Sequence, residues 1–227
     1  MTVNDFPTAL HPELFIKFIS EKYGDAAVFS TSLSLEDQVI THYIFSNNLP
    51  VKVFTIDTGR MFPETYSVLN ATREKYQKKI DVFFPDTNSI QKLLSEKGPI
   101  SFYESVDERK KCCFIRKVEP LERALFGAQC WITGIRKGQS DGRNSLPFVE
   151  YNEQYKLFKT NPLLNWTDDD VKAVILKHNI PYNVLFDKGY ASIGCQPCTR
   201  PVKEGESARS GRWWWENNEK KECGLHS

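Results

Sequence analysis

Five of the six cysteines stand where thiol chemistry is open to them. Cys112 and Cys113 are adjacent in "ERKKCCFIRK", and Cys195 and Cys198 form a C-x-x-C pair in "IGCQPCTR". Four thiolates suit either a tetrahedral zinc ion or an iron–sulfur cluster. Neighbouring cysteines point to opposite faces of a strand but lie closer in direction on a helix. The basic run around Cys112 and Cys113 is therefore predicted to be helical, with Cys113 and Lys117 on one face at i, i+4. A lysine there offsets thiolate charge and can hold an anion. Cys223 follows "NNEKKE" in polar surroundings, which predicts an exposed thiol whose pKa Lys220, Lys221 and His226 lower. Cys130, inside the apolar "QCWIT", reads as a core residue.

Three loops carry anion-binding chemistry. "FSTSLSLED" places Ser30, Thr31, Ser32 and Ser34 where a strand ends and a helix starts at Glu36, with Ser34 as its cap. Hydroxyls together with free helix N–H groups cradle anions. The loop lacks the glycines and lysine of an NTP-cleaving phosphate loop. "IDTGRMFPETY" ends a strand at Asp57, with Thr58 and Gly59 in the turn and Arg60 beyond. "WITGIRKGQSDGRN" repeats the Thr-Gly layout and adds Arg136, Lys137 and Arg143, and arginine suits bidentate binding of phosphate or sulfate. Further basic residues gather around Arg200, Arg209 and Arg212.

These loops need a scaffold that brings strand ends together. Strands are predicted at Ala26–Ser30, Val51–Asp57, Ile80–Pro85 and Cys130–Gly134. Between them run helical patterns, with Val39, Ile40, Tyr43 and Ile44 on one stripe and Tyr66, Leu69 and Tyr76 on another. Alternating strands and helices imply an α/β fold with a mostly parallel sheet flanked by helices. Thr167 and Asp170 form a capping box at the start of a later helix, and Pro181 is a stop signal. Residues 1–193 are expected to form the α/β body, and 194–227 a C-terminal segment of the same domain that acts as an arm or lid. "GRWWWE" would supply its aromatic anchors.

The 227 residues suffice for one domain with a real core, and the formal net charge of +1 argues against general nucleic-acid or membrane binding. No apolar run is long enough to span a bilayer, and the first residues lack a signal-peptide pattern, so the expected compartment is the cytoplasm. There, clustered cysteines more often bind metal or do redox chemistry than form disulfides.

"CC…R-K", "ITG-R", "IDTGRMFPETY", "IGCQPCTR", "GRWWWE" and "KKECGLH" together resemble the assimilatory adenylyl-sulfate (APS) reductases, across nearly the whole chain. The related 3′-phosphoadenylyl-sulfate (PAPS) reductases keep the terminal ECGLH but generally lack both cysteine pairs. The resemblance implies a PP-loop, adenine nucleotide α-hydrolase-like fold. It implies that Cys112, Cys113, Cys195 and Cys198 ligate one [4Fe–4S] cluster and that Cys223 is the nucleophile. Lys117, Arg143, Arg209 and Arg212 would contact the phosphosulfate. Ser30, Ser32 and Thr58 would lie near the nucleotide's anionic end, with Thr133, Gly134 and Arg136 close by. Electrons would come from a separate thioredoxin or glutaredoxin, and a homo-oligomer is compatible with this reading. One departure is Ser34, where many members carry glycine. A tRNA-thiolating sulfurtransferase of the same fold is the rival class, but it would need a different ATP loop.

Overall fold

The computed structural model describes residues 2–139, 143 and 145–216. Its sheet has six strands in the order β3-β2-β1-β4-β6-β5. These are β1 (Ala27–Ser30), β2 (Lys52–Ile56), β3 (Asp81–Phe83), β4 (Cys130–Ile132), β5 (Val149–Asn152) and β6 (Leu157–Thr160). All neighbours are parallel except β5, which pairs antiparallel with β6. The chain builds outward from β1 through β2 to β3, then returns to place β4 on the other side of β1. That reversal opens a crevice at the carboxyl ends of β1 and β4.

Strand alternation feeds two cores. Phe29, Val53, Cys130 and Ile132 face helices α1 (Pro12–Tyr23), α2 (Leu35–Ser46) and α7 (Asp168–Lys177). Val28, Phe54 and Trp131, one residue out of phase, face Leu121 and Leu125 of α6 (Glu119–Leu125). Each such buried side chain contributes about 1.5–3 kcal/mol. Cys130 is fully buried, as its apolar setting predicts. Helices α3 (Pro63–Tyr76) and α4 (Thr87–Lys97) follow β2 and β3. Helix α5 (Val106–Cys113) runs through a π turn, Phe114–Val118, into α6.

Two local details differ from the sequence reading. The β5–β6 hairpin is unannounced because no glycine marks its turn. Instead Asn152 Oδ1 accepts from Tyr155 N at 2.9 Å, and Lys156 takes the left-handed conformation at φ 54°. Helix α2 begins at Leu35, with Ser34 at the cap position, but the Ser34 side chain makes no capping bond. The Asp37 carboxylate reaches past it to Ser32, 2.6 Å from both N and Oγ. The Thr167–Asp170 capping box is formed as predicted.

Beyond Cys195 the chain folds back on itself. Thr199 and Arg212 form an isolated antiparallel bridge, and Trp213, the first of three tryptophans, is 1% exposed. No described residue from 194 to 216 joins the sheet.

Helices α2, α3 and α7 meet at a pair of histidines. The rings of His42 and His178 lie 4.4 Å apart, and His42 Nδ1 is 3.0 Å from both Tyr76 Oη and Ser46 Oγ. Burial first, then the charges of His178 and Lys75, push His42 down to about 4. A histidine with a depressed folded pKa is neutral in the fold and protonates more readily unfolded. Its contribution is therefore lost as pH falls from about 6.5 toward 4. Asp37, raised to about 6, works in the opposite direction over that window. His42→Gln should consequently lose less melting temperature than the parent between pH 7 and pH 5. Equal losses would show that His42 does not carry the acid sensitivity.

Candidate active site

The carboxyl ends of β1, β2 and β4 open into a cavity of about 510 Å³. Its first wall is the β1–α2 loop. Leu33 is buried in the left-handed region at φ 62°, with its N–H donating to Thr31 Oγ1 at 3.0 Å. That turn directs Ser30, Ser32 and Ser34 to the cavity. Ser30 Oγ accepts from the Trp131 indole at 2.8 Å. The Ser32 amide is occupied by Asp37, an internal anion at the helix N-terminus. Burial pushes Asp37 up to about 6 against those Ser32 bonds. Gly134, at the end of β4, crosses directly over this carboxylate, and a β-carbon there would collide with it. Glycine is thus required by close approach, not by an unusual φ.

The second wall is the β2–α3 loop. Asp57 Oδ1 accepts from Gly59 N at 2.8 Å and Tyr66 Oη at 3.0 Å, which closes the turn, and Gly59 sits at φ 69°. Thr58 faces two ways. Its carbonyl accepts from Arg116 Nη1 at 2.6 Å, and its hydroxyl is 3.3 Å from Cys195 Sγ.

The third wall follows β4. Thr133 Oγ1 donates to Asn161 Oδ1 at 2.5 Å. Arg136 lines the cavity, yet all its guanidinium nitrogens are committed. Nε and Nη2 donate to Glu36 at 2.9 and 2.6 Å, Nη2 also to Asp168, and Nη1 to the Trp166 carbonyl at 3.0 Å. It joins the starts of α2 and α7 and neutralises two carboxylates that would otherwise repel an anion. Arg143 faces the cavity with Nη1 on Gln139 Oε1.

The cationic end lies opposite. Lys117, in the π turn, is 8% exposed and lines the cavity, as do Arg209 and Arg212. A π turn widens the helix by one residue and re-aims its side chains, and here it buries Arg116 and Lys117 together. Arg212 and Arg209 sit over the Trp213 ring at 4.8 and 5.9 Å. Arg116 Nε and Arg212 Nε are buried with no hydrogen-bond partner among the described residues. Arg212, which also lines the cavity, therefore has a donor available to an anion.

Beyond Lys117 lie Cys112, Cys113, Cys195 and Cys198, gathered in one cluster with Leu93, Phe102 and Trp213 and each 7–8% exposed. All four are free thiols. Burial pushes Cys198 up to about 12, with the charge of Cys195 adding to it. Burial would raise Cys195 too, but Lys117, the Thr58 hydroxyl, Arg212 and Arg116 outweigh it and hold that thiol below its ordinary value. No group of three or more His, Cys, Asp or Glu among the described residues converges closely enough for a single metal ion. Four buried thiols packed in one cluster beside Lys117 and Arg212 are the donor set that an iron–sulfur cluster takes.

The cavity therefore gathers ten of the sequence-predicted substrate and catalytic positions from five separate segments, with Cys195 on its border. Cys223, with Lys220, Lys221 and His226, lies outside the described residues. The reading missed Arg116, whose place four residues after Cys112 was the available signal. It also missed the Asp37–Gly134 approach and the Arg136 ion pairs.

Residues 26–201 match the phosphoadenosine phosphosulfate reductase domain. The chain belongs to that family. It is 48% identical over 203 residues to the adenosine 5′-phosphosulfate reductase of Agrobacterium fabrum, covering 89% of this chain and 78% of that protein. To the adenosine 5′-phosphosulfate reductase of Burkholderia cepacia it is 44% identical over 228 residues, covering 96% and 91%. Within the PAPS reductase family, the crystal structure of the Candida auris phosphoadenylyl-sulfate reductase, a phosphate complex, superposes with a TM-score of 0.73 at 31% identity. That match covers 88% of this chain and 94% of that one. Yeast FAD synthetase superposes at 0.57 with 17% identity, over 86% of this chain and 65% of that one, a likeness of fold.

Proposed function

We propose that this chain reduces adenosine 5′-phosphosulfate to sulfite and AMP, in assimilatory sulfate reduction that feeds cysteine synthesis. The observation that carries the reading is the shared border at Thr58 and Cys195. A hydroxyl at the end of β2 bonds a cysteine of the buried cluster, so strand-end loops and cysteines face the same cavity. The names of the bacterial relatives support APS as the substrate.

The nucleotide's adenylate lies along Ser30, Ser32, Thr58, Thr133 and Gly134. Its sulfate end points to Lys117, Arg143, Arg209 and Arg212. Arg136 holds the wall and cancels Glu36 and Asp168. Cys112, Cys113, Cys195 and Cys198 would hold a [4Fe–4S] cluster, which supplies fixed charge beside the sulfate when bound.

The Cys223 thiolate attacks the sulfate sulfur in line. The bond from that sulfur to the bridging oxygen breaks, and AMP leaves with the electron pair. Cys223 then carries a thiosulfonate, Cys–S–SO₃⁻. The cations offset the repulsion between a thiolate and an anionic electrophile. A thiolate of reduced thioredoxin or glutaredoxin attacks Cys223 Sγ, and sulfite departs with the S–S electron pair. The second redoxin thiol resolves the mixed disulfide, returning Cys223 as a thiol. The two electrons that take sulfur from the sulfate to the sulfite level come from that dithiol. The reaction fits a cytoplasmic enzyme with a diffusible redoxin donor.

Incubating anaerobically purified protein with APS or PAPS in parallel, without redoxin, tests the assignment. APS should add one SO₃ group and release one equivalent of AMP. PAPS should react more slowly by a factor on the order of 10² or more, because the four-cysteine branch that the sequence resembles is the APS-using one. Equal rates would remove the APS assignment, and no adduct with either would remove the mechanism.

A further inference from the structure

One buried ion pair lies outside every role assigned above. Arg109 is 1% exposed and stands on α5, one turn before Cys113. Its Nε donates to Glu216 Oε1 at 2.8 Å and its Nη2 to Glu216 Oε2 at 3.0 Å, so both carboxylate oxygens are engaged. Arg109 also interacts with Cys113, one turn along the helix, whose charge favours the guanidinium. The Arg109 guanidinium also lies over the Trp213 ring at 4.6 Å, on a ring already flanked by Arg212 and Arg209.

The chain between these contacts is held tightly. Trp213 N donates to the Cys198 carbonyl at 3.1 Å, and Glu216 N to the Trp213 carbonyl at 2.9 Å. Trp213 takes the left-handed region at φ 42°, a conformation that a bulky side chain adopts only when its surroundings impose it. That turn carries the chain from the cavity wall, where Arg212 and Trp213 stand, back to α5 at Glu216. Cys223 follows seven residues later.

We propose that Arg109 and Glu216 are a positioning pair, which fixes the point and direction from which the chain runs on to Cys223 and so sets the approach of that thiol to the sulfate. The proposal rests on Cys223 being the nucleophile. Seven residues reach at most about 24 Å, so the anchor sets an upper limit on how far the thiol can range from Glu216. With the pair broken, Trp213 becomes the last fixed point, ten residues from Cys223. Effective concentration falls as roughly the −3/2 power of tether length, so added length alone lowers the encounter only about 1.7-fold. A larger loss therefore reports lost direction rather than lost reach. The same pair links Cys113 to the exit of the segment, so the cysteine cluster and the reach of Cys223 share one support.

The test is single-turnover sulfonation of Cys223 by saturating APS without redoxin, in the parent, Glu216→Gln, Glu216→Asp and Arg109→Lys. APS affinity, iron content and amide exchange at Trp213–Glu216 are measured alongside. Glu216→Gln should slow sulfonation more than about tenfold while APS affinity stays within about threefold and iron content is unchanged. Its Glu216 amide should exchange faster. Glu216→Asp, which keeps the charge, should recover most of the rate, and Arg109→Lys should fall between. Sulfonation within about twofold of the parent in Glu216→Gln would overturn the proposal, as would a loss matched by lost APS or iron. A parent that never gains SO₃ on Cys223 would instead sink the reaction proposed above. The exchange arm would still judge the anchor, because an unchanged Glu216 amide in Glu216→Gln would overturn it.

Discussion

Cys223→Ser protein should bind APS with near-parental affinity, keep its iron, and form no adduct at all. Turnover should fall by roughly 10⁴-fold or more, the order of loss that follows removal of a covalent nucleophile. The reasons come from both ends of the site. The groups proposed to hold APS are on strand-end loops, on the π turn and on the Arg209–Trp213 turn, and the substitution changes none of them. Serine has a hydroxyl of nearly the same size but almost no anion at neutral pH, so it cannot displace AMP. Cys130 and Cys198 are poor substitutes, and in this reading Cys195 is taken up as a cluster ligand. Cys130 is fully buried and pushed up to about 12, chiefly by burial, and Cys198 is likewise at about 12. Intact-mass analysis after incubation with APS checks this, followed by peptide mapping. An adduct on another cysteine, or normal turnover by Cys223→Ser, would end the proposed mechanism while leaving the fold and family in place.

The sequence made the sheet legible wherever strands are buried on both faces. β1, β2 and β4 are short apolar runs between helical patterns, and such runs are what a parallel strand must look like. The β5–β6 hairpin escaped because Asn152 and Lys156 build its turn without glycine, and because "VEYN" alternates weakly. The cysteines were legible because four thiols in two close pairs have few other uses. Charge partners were not. Arg136 reads along the chain as a free anion-binding arginine. Only the fold brings Glu36, one hundred residues earlier, and Asp168 against it. Arg109 and Glu216, separated by 107 positions, are invisible for the same reason. Gly134 looked like a ligand-facing glycine, and its constraint turned out to be the Asp37 carboxylate beneath it. Spacing reports which residues share an element, whereas pairing between elements depends on topology, which short-range pattern does not encode.

Cys195→Ser should lose most bound iron and acid-labile sulfide, and with them most activity, while Cys130→Ser should keep both. Cys195 stands at the junction of the two halves of the site. Its sulfur meets Thr58 on the cavity side, and the charges of Lys117, Arg212 and Arg116 favour its thiolate against burial. A serine hydroxyl would stay protonated there and would be a poor ligand for iron. Losing the thiolate also removes anionic charge from among buried cations. Leaving one partner of a buried charge group uncompensated typically costs about 3–5 kcal/mol, so Lys117 and Arg212 should shift from the positions that line the cavity. APS affinity should therefore weaken along with iron, unlike in Cys223→Ser. Cys130 provides the control: also buried, it lies in the helix-facing core beside Ile132 and apart from the cluster of Cys112, Cys113, Cys195 and Cys198. Iron and sulfide assays on anaerobically purified protein, with absorbance near the visible iron–sulfur shoulder, decide the matter. Full iron in Cys195→Ser would remove it from the ligand set, and stoichiometric zinc without sulfide in the parent would replace the cluster with a structural metal.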